Sequence, residues 1–331
     1  RGHLLAAFCS AVGDPDTEVA NWFIKGCPVG LASPIPYCNV FPLRDAECDR
    51  QDRFACSQLP FVDVFSDLSF LSNYRSAEDM PSVTLDLLNK EEELGFCKSF
   101  DHFSELVDFV GNSKVVPIKL GLVPKSGTDS FRLICDASEN GLNAKISLGE
   151  RLVLPRISDA VECFLELRER QLAEGGVLEA VSIDFANAFK LVPLLPAEKA
   201  FHVMFFAKRW YAANTLVFGV RSSPLIWGRA AACISRLASA VCCAPSANAA
   251  SASALFRLNV FVDDPFAQAL ARTAEYARLI LCFPLLLWAV LGFRLAVKKR
   301  QFPLPIRWVG VVFSLHQAGI VVRIPDEKLR S

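Results

Sequence analysis

Apolar and polar positions alternate along this chain in patterns that change several times. Up to about residue 85 the sequence is dense in punctuators, such as Pro28-Val29-Gly30 and Ser33-Pro34-Ile35-Pro36. It offers only short helical candidates, at Thr17–Lys25 and Ala46–Gln58. From Leu85 to Val110 the apolar residues Leu87-Leu88, Leu94, Phe96, Phe103, Leu106-Val107 and Phe109-Val110 recur near the helical period, which predicts helix broken at Gly95. Two β-rich runs, Val115–Lys125 and Phe131–Asp136, flank the polar turn Ser126-Gly127-Thr128-Asp129-Ser130 and predict a hairpin. Leu152–Ala173 reads as an amphipathic helix that turns Leu154, Ile157, Ala160-Val161, Phe164-Leu165 and Leu167 inward and stops at Gly175-Gly176.

The second half is richer in strands. Val181–Phe185 is a β-rich run ending at Asp184, and Leu191–Leu194 with Phe201–Phe206 predicts a meander back across the same sheet. Phe218-Gly219 and Ser223-Pro224 lead into an apolar helix, and Ser246–Ala254 is a small-residue connector. Leu258–Val262 is a strand closing on Asp263-Asp264-Pro265. The longest apolar run, Leu279–Phe293, is short for a membrane span and contains Pro284, so it predicts a buried helix. A basic segment around Lys298-Lys299-Arg300 and a strand at Ile306–Phe313 complete the pattern.

Composition narrows the class. With 331 residues and 52% hydrophobic content, the chain has core material for one large or two modest domains. Its 12 cysteines form no C-x-x-C pair, which argues against a zinc site or a disulfide scaffold and for a reducing, intracellular setting in cytoplasm or nucleus rather than secretion. The start, Arg1–Phe8, has neither Met nor a signal-peptide pattern, as in an excised fragment. Acids and bases balance at 35 each, but they are segregated. Phe41–Val110 has 15 acids against 6 bases, whereas Ala289–Ser331 has 8 bases against 2 acids. A basic surface toward the C-terminal half suits a phosphate backbone, the plainer reading being a solvated face.

Two strand ends supply the candidate chemistry. Asp184 from one and Asp263-Asp264 from the other give three carboxylates, a set able to hold two Mg²⁺ ions for in-line phosphoryl transfer, although Asp-Asp before Pro is also ordinary turn chemistry. The hairpin arms place Lys125 and Arg132 on either side of one turn, where two cations suit a triphosphate. His202 lies in an apolar run with no second His or Cys suitably spaced, and reads as a packed histidine.

Taken in order, these blocks resemble the reverse transcriptase family, the right-hand-shaped polymerases of retroelements. The resemblance rests on the Lys125/Arg132 hairpin, Asp184-Phe185-Ala186-Asn187-Ala188-Phe189, Phe218-Gly219 with Ser223-Pro224, Phe261-Val262-Asp263-Asp264, Gly292 with Lys298-Lys299, and Trp308-Val309-Gly310. The closing Ile324–Leu329 is similar to the stretch after the palm in tyrosine-recombinase (DIRS-like) retrotransposons.

The resemblance implies an α+β fold of right-hand type, a ferredoxin-like palm sheet with fingers, and a short or absent thumb. It implies a division into an N-terminal extension of unknown role (1–85), fingers (about 111–180) and palm (about 181–325) within 86–325, and the start of a thumb or linker (326–331). The catalytic acids would be Asp184, Asp263 and Asp264, with the backbone carbonyl of Phe185 completing a site for two Mg²⁺ ions or for Mn²⁺ as substitute. Lys125 and Arg132 match the triphosphate grips, Phe189 the steric gate against a 2′-hydroxyl, and Phe218 and Gly219 the loop against the nascent pair. Lys298 or Lys299 matches a basic residue near the leaving pyrophosphate, and Trp308 and Gly310 the primer grip.

The implied partners are an RNA template, a DNA or RNA primer and dNTPs, without a membrane, and with RNase H, recombinase or integrase domains lying elsewhere in a polyprotein. Phe261 stands where the family usually has tyrosine, and Phe218 where some members have glutamine. The rival readings are an RNA-dependent RNA polymerase, which Phe189 opposes, and a decayed copy that binds nucleic acid without catalysis.

Overall fold

The computed structural model describes residues 1–44, 59–63, 66, 71–125, 127–243, 254–316 and 319–325. Its longer helices are α1 (Gly2–Val12), α2 (Glu18–Lys25), α3 (Pro81–Glu93), α4 (Phe103–Val110), α5 (Ile157–Glu174), α6 (Ser223–Cys242) and α7 (Ala274–Leu291). Its strands are β1 (Cys97–Phe100), β2 (Lys119–Pro124), β3 (Phe131–Asp136), β4 (Val177–Ser182), β5 (Val203–Phe206), β6 (Arg209–Ala213), β7 (Leu255–Phe261), β8 (Asp264–Ala271), β9 (Ile306–Trp308), β10 (Val311–His316) and β11 (Gly319–Arg323). The sequence candidates at Ala46–Gln58, most of the Ser246–Ala254 connector and the tail 326–331 lie outside the described residues.

The chain forms two compact units, each made of separated segments. Arg1–Val19, Val153–Ala188 and Gly228–Ser331 make the first, and Ala20–Leu152 with Phe189–Trp227 the second. These boundaries differ from the sequential division into 1–85, 86–325 and 326–331, because β4 pairs with a strand far along the chain and takes the preceding helix with it.

In the first unit β4, β8 and β7 form an antiparallel sheet in that order. Pleating sends Leu178, Ala180, Phe266 and Leu270 to one face, where they pack with Ala160, Phe164 and Leu167 of α5. Ile306, Trp308 and Phe313 join this core from the small antiparallel sheet β11-β10-β9. The opposite face, with Val181, Ala267, Ala269 and Ala271, packs on Ala277, Ile280 and Leu281 of α7. Each large apolar side chain buried this way stabilises the unit by roughly 1.5–3 kcal/mol.

Thr273 caps α7 by accepting the Tyr276 N–H at 3.3 Å, and Gly292, at φ 96°, ends it. By length and composition α6 and α7 are each apolar enough to cross a membrane; 61% of that stretch is buried in α6 and 33% in α7. The buried helix expected at Leu279–Phe293 therefore buries one side only, with Leu279, Phe283 and Leu286 exposed on the other.

The N-terminal segment is locked into this unit by two paired carboxylates. Asp16 receives the fully buried Arg229 guanidinium in a fork of 2.7 and 2.7 Å, and Asp14 receives Arg236 at 2.8 and 2.8 Å.

The second unit has the antiparallel sheet β1-β6-β5 and the separate hairpin β2-β3. Phe100, Trp210 and Val203 meet Leu106 and Val110 of α4 in its core, with Phe103 and Phe205 against the Trp210 ring at 5.1 and 4.6 Å. His202 is buried, its Nδ1 2.9 Å from the Glu198 carbonyl, and burial depresses its pKa to about 4, as suits a packed neutral imidazole.

Four expectations are corrected. The helix over Leu85–Val110 is interrupted by β1, because Cys97–Phe100 pairs with Ala213–Trp210 and tertiary pairing outweighs local period. The helix expected from Leu152 begins at Ile157, since a residue before proline avoids the helical region and Pro155 stands in the way; Leu165 faces solvent rather than the core. The meander does not return across the Asp184 sheet, for β5 pairs with β6 in the sheet β1-β6-β5 of the second unit. Ile306–Phe313 is two strands joined at Val309-Gly310.

Candidate active site

Two turns and one strand end meet in the first unit. β7 and β8 join through a two-residue turn: Phe261 pairs with Asp264, and Val262-Asp263 span the gap. Val262 has φ 56°, a left-handed conformation that a β-branched side chain avoids at a cost on the order of 1–3 kcal/mol. β4 emerges alongside. The Ile183 N–H donates to the Pro265 carbonyl at 3.3 Å and the Phe185 N–H to the Asp263 carbonyl at 2.8 Å, so Asp184 lies against the acidic turn. From the other side the Ala296 N–H donates to the Asp184 carbonyl and the Ala186 N–H to the Arg294 carbonyl, both at 2.8 Å.

The side chains follow from this frame. Asp264, half-buried, accepts from Ser182 Oγ at 2.8 Å. Burial pushes its carboxyl up to about 7; the Ser182 hydroxyl opposes the shift, while the charges of Asp184 and Asp263 add to it. Asp184 Oδ2 pairs with the Lys299 ammonium at 2.5 Å, and Lys298 is exposed beside it on the single 3₁₀ turn Val297–Lys299. The Phe185 ring is buried against Trp288 and Phe293, at 5.0 and 6.2 Å.

Trp308 and Gly310 also belong here. The Trp308 indole N–H donates to the Asp264 carbonyl at 2.9 Å, and its ring meets Phe261 edge-on at 6.4 Å. β9 and β10 are joined by Val309 and Gly310, both at positive φ (46° and 82°), the signature of a tight I′ hairpin turn.

The remaining sequence candidates lie in the second unit. Phe189, buried, and Phe218, exposed at 40%, meet edge-to-face with centroids 4.8 Å apart. A Cβ on Gly219 would stand 1.8 Å from the Cys135 carbonyl, so the close approach this glycine permits is to the protein's own β3 strand. Lys125 and Arg132 are exposed on the β2-β3 hairpin; Arg132 lies opposite Val123 and Lys125 follows two residues on, which puts both on one face.

Three residues escaped the sequence reading. Ser182 and Gln301 close a backbone bridge (2.9 and 3.1 Å) beside Asp264, and Asn143 holds the Phe218–Arg221 loop, donating to the Gly219 carbonyl and accepting the Arg221 N–H, both at 2.8 Å. Serine and amides are too common for their identity to have flagged them.

Among the described residues no three His, Cys, Asp or Glu side chains form a ready-made metal cage. Lys299 pairs with Asp184 and Ser182 donates to Asp264. The donor set nevertheless suits Mg²⁺, which takes hard oxygen ligands and is commonly held by one or two carboxylates plus substrate phosphates. The mutual repulsion that helps raise the Asp264 pKa is what a divalent cation relieves.

No protein-family model matches the sequence, and no curated protein matches it. Solved structures do. A foamy viral protease-reverse transcriptase in complex with an RNA/DNA hybrid aligns at 13% identity and TM-score 0.53, over 78% of this chain and 28% of that one. The complex with double-stranded DNA aligns at 13% identity and TM-score 0.52, over 78% and 37%. The selenomethionine-labelled Prototype Foamy Virus protein aligns at 12% identity and TM-score 0.50, over 90% and 29%. The chain spans little more than a third of these proteins at most, and shares with them a reverse-transcriptase-like mixed α/β fold with antiparallel sheets.

Proposed function

We propose that this chain is the nucleotidyl-transfer core of an RNA-directed DNA polymerase from a retroelement polyprotein, with the first unit as palm and the β2-β3 hairpin as part of the fingers. The observation that carries the reading is the 2.8 Å bond from the Phe185 N–H to the Asp263 carbonyl, which joins the strand ends bearing Asp184, Asp263 and Asp264. Those acids, with the Phe185 carbonyl, are the residues to hold two Mg²⁺ ions. Bound there, Mg²⁺ supplies Lewis acidity at the phosphoryl oxygens and lowers the pKa of the attacking hydroxyl.

The chain's own groups do the positioning. Trp308 and the Val309-Gly310 turn, braced on the acidic hairpin, fix the primer 3′ end in line with the α-phosphate, where an ångström of misplacement costs about a hundredfold. Lys299, paired with Asp184, is the cation that would meet the leaving pyrophosphate. Lys125 and Arg132 grip the triphosphate, and Phe189, backed by Phe218, leaves no room for a 2′-hydroxyl.

Primer extension on an RNA template tests the reading. Mg²⁺-dependent incorporation of dNTPs, lost in Asp263→Asn, is the expected result; template binding without any extension by the unaltered chain overturns it.

A further inference from the structure

Helix α1 turns Gly2, Leu5 and Cys9 inward, and Cys9 meets Cys233 near the middle of α6. The two sulfur atoms lie 3.4 Å apart, in the contact range of two thiols, although 224 positions separate them in sequence. Both residues belong to the first unit. Ion pairs on either side fix their register. Arg229, Cys233 and Arg236 stand one helical turn apart on one face of α6, and they meet Asp16, Cys9 and Asp14 in turn. The Asp14 N–H donates to the Cys9 carbonyl at 2.9 Å, so the forked Asp14–Arg236 pair also places Cys9.

The two thiols are unequal. Cys9 is held below the usual thiol range, chiefly by the hydrogen bond from Cys233 and with help from the Arg236 guanidinium, while burial and the charges of Asp14 and Asp16 oppose the shift. Cys233 moves the other way, raised by its bond to Cys9 and by burial. One sulfur is therefore the nucleophile and the other keeps the proton. Cys9 is 7% exposed and Cys233 fully buried, so a small oxidant meets Cys9 first. Cysteines elsewhere are packed differently: Cys135 Sγ faces the Met204 thioether, and Cys242 and Cys243 face the carbonyls of Ile280 and Phe256.

We propose that Cys9 and Cys233 form a reversible disulfide, a redox clasp that joins α1 to α6 when the chain meets a peroxide. The Cys9 thiolate attacks one peroxide oxygen, the O–O bond breaks, and hydroxide leaves and takes a proton to become water. Cys233 then gives up its proton and its sulfur attacks the resulting Cys9 sulfenic acid, breaking the S–O bond and releasing a second water. Two thiols are oxidised by two electrons in all, and hydrogen peroxide is reduced to two waters. The sulfurs close by about 1.4 Å to reach disulfide bonding distance. A dithiol reverses the link by exchange. In a reducing compartment the open pair is the resting form, as for cysteines that sense oxidant rather than build a scaffold. None of the residues assigned to nucleotidyl transfer takes part, so the clasp does not depend on that reading.

The test treats the full chain with hydrogen peroxide, unfolds it in denaturant with N-ethylmaleimide to label every remaining thiol, and maps the unreduced peptides by mass. The expected product is a peptide joining Cys9 to Cys233, lighter than its two parts by two hydrogens and separated again by dithiothreitol. Because the link closes a very long loop, the melting temperature is expected to rise by about 5 °C or more on oxidation. Cys9→Ala should abolish both the linked peptide and the rise. The mapping needs only the parent chain, so it stands even where a variant folds poorly. Maleimide on both Cys9 and Cys233 after peroxide has consumed the exposed Cys243 and Cys282 overturns the clasp, as does a link from either residue to a different cysteine.

Discussion

The indole N–H of Trp308 donates to the backbone carbonyl of Asp264 at 2.9 Å, tying the turn that follows β9 to the acid that opens β8. Trp308→Phe keeps the ring and removes the donor. It is expected to lower unfolding stability by about 1 kcal/mol while slowing single-turnover primer extension by about tenfold or more. A variant that unfolds at lower denaturant yet extends at the parental rate would separate the brace from the chemistry.

Asp264 is a carboxylate held where its charge is unwelcome, with burial the main cause and Asp184 and Asp263 contributing. At pH 8, without divalent cations, Asp264→Asn is expected to raise the melting temperature by a few degrees, about 1 kcal/mol, and to abolish extension. An amide keeps an acceptor for the Ser182 hydroxyl, so the gain comes from removing charge. A lowered melting temperature would mean that the acid is stabilised by contacts other than those described.

Phe189 and Phe218 support each other edge-to-face at 4.8 Å. Phe189→Ala is expected to reduce discrimination against ribonucleotides by at least about tenfold, some 1.4 kcal/mol, read as the ratio of kcat/KM for dNTP and rNTP. Unchanged discrimination would remove the gate role from this ring.

Much of the acidic hairpin was legible because a β-branched and aromatic run closing on Asp263-Asp264 states its own geometry. The partners of those acids were not. Ser182 reaches Asp264 only because β4 and β8 pair in one register, Ser182 opposite Phe266, and register belongs to the sheet rather than to either strand. β6 was missed for a related reason: Arg209-Trp210-Tyr211-Ala212-Ala213 is buried on both faces over most of its length and shows no alternation. Of Lys298 and Lys299, it is Lys299 that pairs with Asp184, a contact set by the 3₁₀ turn and not by the sequence of two adjacent lysines.

The Asp16–Arg229 pair is buried at both ends. Removing one partner leaves a bare charge in the core, so Arg229→Ala is expected to cost about 3–5 kcal/mol. The double variant Asp16→Leu, Arg229→Met is expected to recover most of that loss in denaturant unfolding. Failure of the double variant to recover would show that the fork is needed for its shape and not only for charge balance.

His202 gives the fold a pH dependence of known sign. Its folded pKa, near 4, lies below the ordinary 6.5, so between those values the unfolded chain binds a proton that the folded chain refuses. Stability therefore falls as pH drops from about 6.5 toward 4, by about 2–3 kcal/mol from this group. His202→Gln should flatten that limb relative to the parent, and parallel curves would exclude the imidazole as its source.

The first unit draws on the beginning, middle and end of the chain, and its central sheet waits for β8 before β4 has a neighbour. During synthesis, β4 must therefore leave the ribosome and remain unpaired while about eighty further residues are made. A polypeptide cut short before β8 carries Asp184 without Asp263, Asp264 or the strand on which β4 pairs.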